Sequence, residues 1–272
     1  MTDTRDVQGE IGGIPAFWRE ADQVGSSPIL YVHGVPVNSD IWLPFLERTG
    51  GLAPDLPGFG RSGKPTDFDY SIPGYTAWLE AFLDHHSIDR FSMVVHDWGG
   101  LALAMRPEVL ARLDRLVTLG HVPIGVEGYR WHRIARGWRT PVIGELTMGF
   151  TTRWMLKQLT REGRGGKPLP DEFMDIVWDH FDQGTQRAIL KLYRSAPPEV
   201  LAAATDLGRI TCPALALWSA NDPYILPATC GPATAAALGG PVEFELVDAP
   251  GHWWWVDDES LLDRPTRFIL GQ

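Results

Sequence analysis

Two aspartates and a histidine each follow a short apolar run that predicts a buried strand. Together, side chains of these types can hydrolyse activated bonds. Asp97 lies in VVHDWGG, Asp222 in WSANDPYI and His252 in DAPGHWWW. The carboxyl ends of parallel strands meet at one edge of a sheet, so we expect the three side chains to lie together there. A nucleophile, an acid and a histidine in one place indicate nucleophilic hydrolysis.

The segment around Asp97 predicts a sharp turn between a strand and a helix. The run Phe91 to His96 precedes it and the pair Gly99-Gly100 follows. Such a turn projects its central side chain above the sheet. A carboxylate there can attack saturated carbon and form an ester, which water activated by His252 then hydrolyses. The competing interpretation, that Asp97 only caps a helix, leaves the matching positions of Asp222 and His252 unexplained.

The apolar runs alternate with helix-like segments, which favours an α/β fold with a mostly parallel sheet flanked by helices. Residues 7–11 and 14–20 around Gly12-Gly13 predict an opening hairpin. Further strands are predicted at residues 29–33, 52–55, 91–96, 116–119, 214–219 and 242–247, and helices at residues 41–46, 75–86 and 228–238. The alternation stops in a Trp-, Arg- and His-rich stretch. We therefore predict a core of residues 1–123 and 206–272 with an inserted helical cap of residues 124–205.

Several motifs together resemble a known superfamily. HGVP at residues 33–36, DLPGFGRSGKP at 55–65, HDWGG at 96–100 and the GHWWW around His252 are similar to the α/β-hydrolases. HGxP combined with HDWG resembles the branch of epoxide hydrolases and haloalkane dehalogenases, which use an aspartate nucleophile. The resemblance implies an oxyanion hole made by the backbone N–H groups of Val35 and Trp98. It also implies that Pro36 fixes the loop that carries Val35, with a cis bond as one option.

The reaction depends on the leaving group, and the cap is the region that distinguishes the candidates. An epoxide oxygen leaves as an alkoxide and needs a proton donor. Tyr193, in AILKLYRSAPP, resembles the position that supplies a ring-opening tyrosine in epoxide hydrolases, and Tyr129 or His132 could assist it. The alternative is that Tyr193 only packs on a helix face. We predict an epoxide hydrolase for small apolar epoxides that uses Asp97, His252, Asp222 and Tyr193.

Haloalkane dehalogenation with the same three residues is the alternative. Halide needs N–H donors, and the indole of Trp98 is one of them. Val35 stands where an asparagine would supply a second, which leaves cap residues Trp138, Trp154 or Trp178 for that role. A ligand receptor on the same fold, without turnover, is a third possibility.

Composition narrows the remaining classes. A hydrophobic share of 44% and a charged share of 21% are typical of a globular protein. The formal charge of −10 argues against nucleic acid and anionic membranes as partners. The glycines from Gly58 to Gly63 are not followed by the helix that a dinucleotide site needs, so we expect no cofactor. His85-His86 have no third ligand at a suitable spacing, so we expect no metal. Cys212 and Cys230 are expected to be free thiols, and the protein is expected in the cytoplasm. We expect a monomer or homodimer whose partners are a small apolar substrate and water.

Overall fold

The sheet that carries the site has eight strands in the order β1-β2-β4-β3-β5-β6-β7-β8. It belongs to a computed structural model that describes residues 2–272. β2 runs antiparallel to both of its neighbours, and the strands from β4 through β8 are parallel. The strands are β1 (Thr4–Ile11), β2 (Ile14–Ala21), β3 (Ile29–Val32), β4 (Gly51–Pro54), β5 (Phe91–Asp97), β6 (Leu113–His121), β7 (Ala214–Ser219) and β8 (Val242–Val247). The predicted mostly parallel sheet is confirmed.

Continuous apolar runs become the inner strands. Every residue of β3, β5 and β7 is buried, because helices or neighbouring elements cover both faces. β8 differs from its neighbours: it forms the edge, and four of its six side chains are exposed. Glu243 and Glu245 alternate with apolar residues there, and charged side chains protect an open edge from pairing with other chains.

The helices of the core connect these strands. They are α1 (Leu43–Thr49), α2 (Ile72–His85), α3 (Pro107–Leu110), α10 (Pro227–Ala237) and α11 (Asp263–Leu270). Ser71 caps α2 by accepting from the backbone N–H of Gly74, and Pro73 lies in the first turn, where its missing N–H removes no bond. After β5 the chain forms a 3₁₀ helix, Trp98–Ala104, in place of the expected α-helix. Its tight first turn brings Gly99 against the carbonyl of Val32.

Between β6 and β7 the chain is helical, as the sequence indicates. The helices are α4 (Arg133–Arg139), α5 (Ile143–Phe150), α6 (Arg153–Leu159), α7 (Asp171–Trp178), α8 (Gln183–Ser195) and α9 (Pro198–Ala203). We call residues 124–205 the cap. Its division from the core as a separate unit stays a prediction.

Two features bear on the surroundings of the protein. None of the helices in the described part of the chain is long and apolar enough to cross a membrane. Both cysteines are free thiols; Cys230 is buried and Cys212 half-buried.

Candidate active site

Asp97 lies at the end of β5 in a backbone conformation that few residues adopt. Its φ of 51° and ψ of −125° turn the chain sharply between the strand and the 3₁₀ helix. The turn is possible because its neighbours are glycines. A Cβ on Gly99 would lie 2.0 Å from the Val32 carbonyl oxygen, and a Cβ on Gly34 would lie 2.4 Å from Oδ2 of Asp97. Strain of this kind is concentrated at functional sites.

The loop after β3 places a backbone donor on Asp97. The N–H of Val35 donates to Oδ2 of Asp97 at 2.7 Å, and the backbone N–H of Trp98 lowers the pKa of this carboxylate. The Val35–Pro36 peptide bond is cis. These two N–H groups are the pair that the sequence resemblance implies for an oxyanion hole. Val35 donates to a carboxylate oxygen that becomes the carbonyl oxygen of an ester if the other oxygen attacks.

Buried polar groups of the neighbouring loop hold the Val35 loop in place. His33 Nδ1 donates to the Gly34 carbonyl at 2.7 Å, and its Nε2 accepts from the N–H of Leu56 at 2.9 Å. Asp55 accepts from the Ser39 N–H at 2.8 Å and pairs with Arg61 at 2.9 Å. The HGVP and DLPGFGRSG motifs are therefore joined by hydrogen bonds beside Asp97.

Asp222 and His252 meet at the same edge. Oδ2 of Asp222 accepts from Nδ1 of His252 at 2.7 Å, and its Oδ1 accepts from the N–H groups of Tyr224 and Ile225 at 2.8 and 3.1 Å. This leaves the Nε2 lone pair of His252 directed toward Asp97, with 3.7 Å between Nε2 and Oδ1. That separation is longer than a hydrogen bond, so the histidine is free to bind the proton of another molecule.

The site shifts the pKa values of its acid and base. Burial raises the pKa of Asp97 above its ordinary value, against the opposing effect of His252 and the two backbone N–H groups. Burial lowers the pKa of His252, but the charge of Asp222, its hydrogen bond and the charge of Asp97 outweigh burial, so this pKa is raised. Neighbouring groups in a cleft whose pKa values are shifted by burial and by each other are typical of catalytic sites.

A cavity with about 430 Å³ of empty space, part of it open to solvent, lies between these residues and the cap. Asp97 and His252 form its floor, and Val35 and Pro36 form part of its wall. The cap contributes mostly apolar side chains, which suits a small apolar ligand. They include Ile134, Trp138, Leu156, Leu159, Thr160 and Tyr193.

Tyr193, from α8, is the predicted cap donor that the structure brings into this cavity. Its ring packs edge-on against Trp98, with 5.0 Å between ring centroids, and against Trp138 at 5.3 Å. Burial raises the pKa of Tyr193 well above its ordinary value, and the charge of Asp97 acts in the same direction. The phenol is therefore protonated at neutral pH and can donate.

The two other predicted donors differ in position. His132 lines the cavity, and burial lowers its pKa to about 4, so the ring is neutral. Its Nδ1 accepts from the N–H of Ala135 at 3.4 Å, so Nε2 carries the proton. Tyr129 lies outside the cavity wall, packed on Trp131, and its hydroxyl donates to the Tyr224 carbonyl at 3.5 Å. The expected assistance from Tyr129 is therefore not supported by its position.

Of the three cap tryptophans considered as halide donors, only Trp138 lines the cavity. Trp154 is exposed on α6, and Trp178 stacks on Phe181 away from the cavity wall. Two cavity residues that belong to the core escaped the sequence analysis, Tyr224 and Trp253. Both stand within two positions of a predicted catalytic residue, on the same strand-end loops, and that proximity was the available signal. The Tyr224 ring lies edge-on to His252 at 5.4 Å.

No group of three or more His, Cys, Asp or Glu side chains within residues 2–272 is arranged to hold a metal ion.

Comparison with known proteins agrees with this fold. The model of the alpha/beta hydrolase family matches residues 29–265. A haloalkane dehalogenase of Psychrobacter cryohalolentis is 30% identical, over 88% of this chain and 84% of that one. Haloalkane dehalogenase 1 of Mycobacterium tuberculosis is 32% identical, over 73% of this chain and 69% of that one.

Solved structures show the same architecture. Haloalkane dehalogenase DbeA from Bradyrhizobium elkani USDA94 superimposes with a TM-score of 0.79 at 22% identity, covering 99% of this chain and 98% of that one. Epoxide hydrolase CorEH superimposes with a TM-score of 0.81 at 19% identity, covering 99% of both chains. The chain is a hydrolase of the α/β-hydrolase family, in the branch that includes the haloalkane dehalogenases.

Proposed function

We propose that this enzyme hydrolyses small apolar epoxides to diols through a covalent ester on Asp97. Oδ1 of Asp97 attacks a ring carbon, the carbon–oxygen bond of the ring breaks, and the departing oxygen takes the phenol proton of Tyr193. His252 then removes a proton from water, and the resulting hydroxide attacks Cγ of the ester. The N–H groups of Val35 and Trp98 stabilise the oxyanion. Its collapse breaks the bond from Cγ to the alkyl oxygen, and this oxygen takes the remaining proton of the attacking hydroxide, so that the diol and the Asp97 carboxylate are released. The proton on His252 returns to the Tyr193 phenolate through solvent or product.

The observation that carries this proposal is a protonated phenol in the same cavity as the attacking carboxylate. Tyr193 lines that cavity with Asp97, and burial holds its pKa well above neutral pH. An alkoxide is a much poorer leaving group than its conjugate alcohol, so ring opening requires such a donor. His132 is neutral with its proton on Nε2 and lines the cavity too, which makes it the candidate second donor.

Dehalogenation is the second candidate, and unpartnered indole groups favour it. The N–H groups of Trp98 and Trp253 are buried and donate to no other residue among 2–272. Trp253 is a core residue that lines the cavity beside His252. Its indole N–H could supply the second halide donor, because the side chain of Val35 has none. The curated relatives at 30% and 32% identity carry the name haloalkane dehalogenase.

A paired assay on one preparation distinguishes the two reactions: diol from styrene oxide and bromide from a bromoalkane. The epoxide proposal predicts diol formation, and replacing Tyr193 with Phe lowers it by about 10²- to 10⁴-fold because ring opening loses its acid. Bromide release, if present, does not need that proton. Tyr70→Phe is the matched control, since Tyr70 is another buried phenol, hydrogen-bonded to the Pro65 carbonyl outside the cavity wall. Bromide release without diol, or full epoxide turnover by Tyr193→Phe, would overturn the proposal.

A further inference from the structure

The cap exposes large apolar side chains to a degree that the core does not. Phe150 is 73% exposed, Trp154 69% and Val142 67%. Ile143, Leu146 and Met155 are exposed as well, and all six lie on or next to α5 and α6. We call these six side chains the cap patch. Leu146, Phe150 and Met155 line one surface groove, and grouped apolar exposure of this kind marks an interaction site more often than a single exposed side chain does.

Charge is distributed very unevenly around this surface. Residues 130–167 hold nine Lys and Arg against two Asp and Glu, whereas the rest of the chain holds 15 against 32. The protein is therefore acidic overall, with one basic segment that carries the cap patch. A segment with basic residues on one face and Trp, Phe and Leu on another is typical of attachment to a membrane surface.

Part of this positive charge is not neutralised by the protein. Arg133, Arg153, Lys157 and Arg164 each pair with a carboxylate. Arg130, Arg136, Arg161 and Lys167 have no carboxylate within ion-pair distance anywhere in residues 2–272. Arg136 and Arg161 are exposed, on α4 and just beyond α6. Free cations beside an apolar surface favour an anionic partner over a second copy of this acidic chain.

The cap patch also borders the route to the active site. Leu146, Phe150 and Met155 line an apolar surface groove between α4, α5 and α6, with about 1000 Å³ of space that includes open solvent. None of the residues that line this groove is acidic. Four residues form walls of both the groove and the catalytic cavity: Ile134, Trp138, Leu156 and Leu159. The groove and the catalytic cavity therefore share an apolar wall.

We propose that the cap patch docks on the surface of an anionic phospholipid bilayer, with Phe150 and Trp154 inserted among the lipids and the basic residues near the headgroups. In this orientation the groove opens toward the lipid, so an apolar substrate dissolved there reaches the catalytic cavity without crossing water. The acidic remainder of the chain faces away from the negatively charged surface. The attachment is reversible, and it does not depend on which leaving group the enzyme displaces.

The test is flotation of the whole protein with vesicles of phosphatidylcholine alone or mixed with phosphatidylglycerol. We expect binding to the anionic vesicles at low salt and loss of binding at high salt, because screening weakens the contact of basic residues with anionic headgroups. The double variant Phe150→Ser/Trp154→Ser should bind roughly tenfold more weakly or worse, since two aromatic side chains no longer leave water. Arg136→Glu/Arg161→Glu should weaken binding roughly tenfold or more.

Matched controls place the same changes on the core. Val24→Ser/Leu246→Ser removes two exposed apolar side chains, and Arg209→Glu/Arg267→Glu reverses two exposed charges. Both control variants should float like the parent protein. Equal flotation of the cap variants and the parent, or absence of binding to anionic vesicles at low salt, overturns the proposal. Sedimentation velocity tests the alternative that a second copy of this chain covers the cap patch. A dimer that the Phe150→Ser/Trp154→Ser variant no longer forms would show this alternative to be correct.

Discussion

At the scale of single residues, the site depends on how three buried side chains share charge. His252 must be neutral to accept a proton from water, whereas Asp97 must be charged to attack. Asp222 acts on the base: its charge favours the imidazolium that forms during the reaction, and its hydrogen bond keeps the Nε2 lone pair toward Asp97. When Asp97 becomes an ester it loses its charge. One of the influences that raise the pKa of His252 then disappears, so a larger fraction of the histidine is neutral in the ester intermediate and able to accept a proton from water.

This charge arrangement predicts a pH dependence for hydrolysis of the ester. Only neutral His252 can act as base, so the rate falls as the pH drops through its pKa. Asp222 raises that pKa, so Asp222→Asn should move the acidic limb of the profile to lower pH. The plateau should also fall by about 10²- to 10⁴-fold because the orientation of the imidazole is lost. The rate of single-turnover decay of the ester, measured from about pH 5 to 9, tests both effects. This range brackets the ordinary histidine pKa of about 6.5.

Asp258→Asn is the control for that experiment, because Asp258 is an exposed carboxylate close to His252 in sequence that bonds only to Ser260. It should leave the limb unchanged. An acidic limb at the same pH in the parent and in Asp222→Asn would show that Asp222 does not set the protonation of His252.

At the scale of elements, the turn after β5 depends on the absence of side chains at two glycines. Gly99 lies against the backbone of Val32 in the neighbouring strand, and backbone atoms cannot move aside as a flexible side chain can. The parallel pairing of β3 with β5 fixes that distance. Asp97 can therefore adopt its unusual conformation only because the sheet and the turn fit closely.

Gly99→Ala should accordingly destabilise the protein by about 2 kcal/mol or more and reduce turnover, because the new methyl group pushes the turn away from Val32. Gly149→Ala is the matched control: a Cβ at Gly149, in α5, would meet nothing within 4 Å. It should be neutral or stabilise by up to about 1 kcal/mol, since alanine favours helices. Urea unfolding of the two variants measures the difference. Equal free energies of unfolding would contradict the close fit at Gly99.

At the scale of the whole molecule, the site is completed by contacts between the cap and the core. The N–H of His252 donates to the Gly163 carbonyl at 2.8 Å, and the Asn38 amide donates to the Ile176 carbonyl at 2.9 Å. Both cap carbonyls hold loops that carry or adjoin the site. The cap therefore positions the base as well as covering the cavity.

The sequence predicts the core better than the cap for a physical reason. Asp97, Asp222 and His252 end or follow strands of one sheet, and parallel pairing carries them to one edge whatever the details of packing. No such rule fixes how short helices dock. Tyr129 was expected beside the substrate and bonds to a backbone carbonyl instead, while Tyr224 reaches the cavity from the core. The sequence shows that this segment is rich in Trp and Arg, but which of its apolar side chains stay exposed depends on how the short helices pack.

The central claim is that Asp97 becomes covalently attached to the substrate and that His252 releases it. Intact-protein mass spectrometry of His252→Gln, after incubation with whichever substrate of the paired assay the parent converts, tests this directly. The account predicts a stable mass increase equal to one substrate-derived group, located on the peptide containing Asp97, and no such increase in Asp97→Asn/His252→Gln. Unmodified mass with retained binding, as expected of a receptor, or modification of a different residue would contradict it.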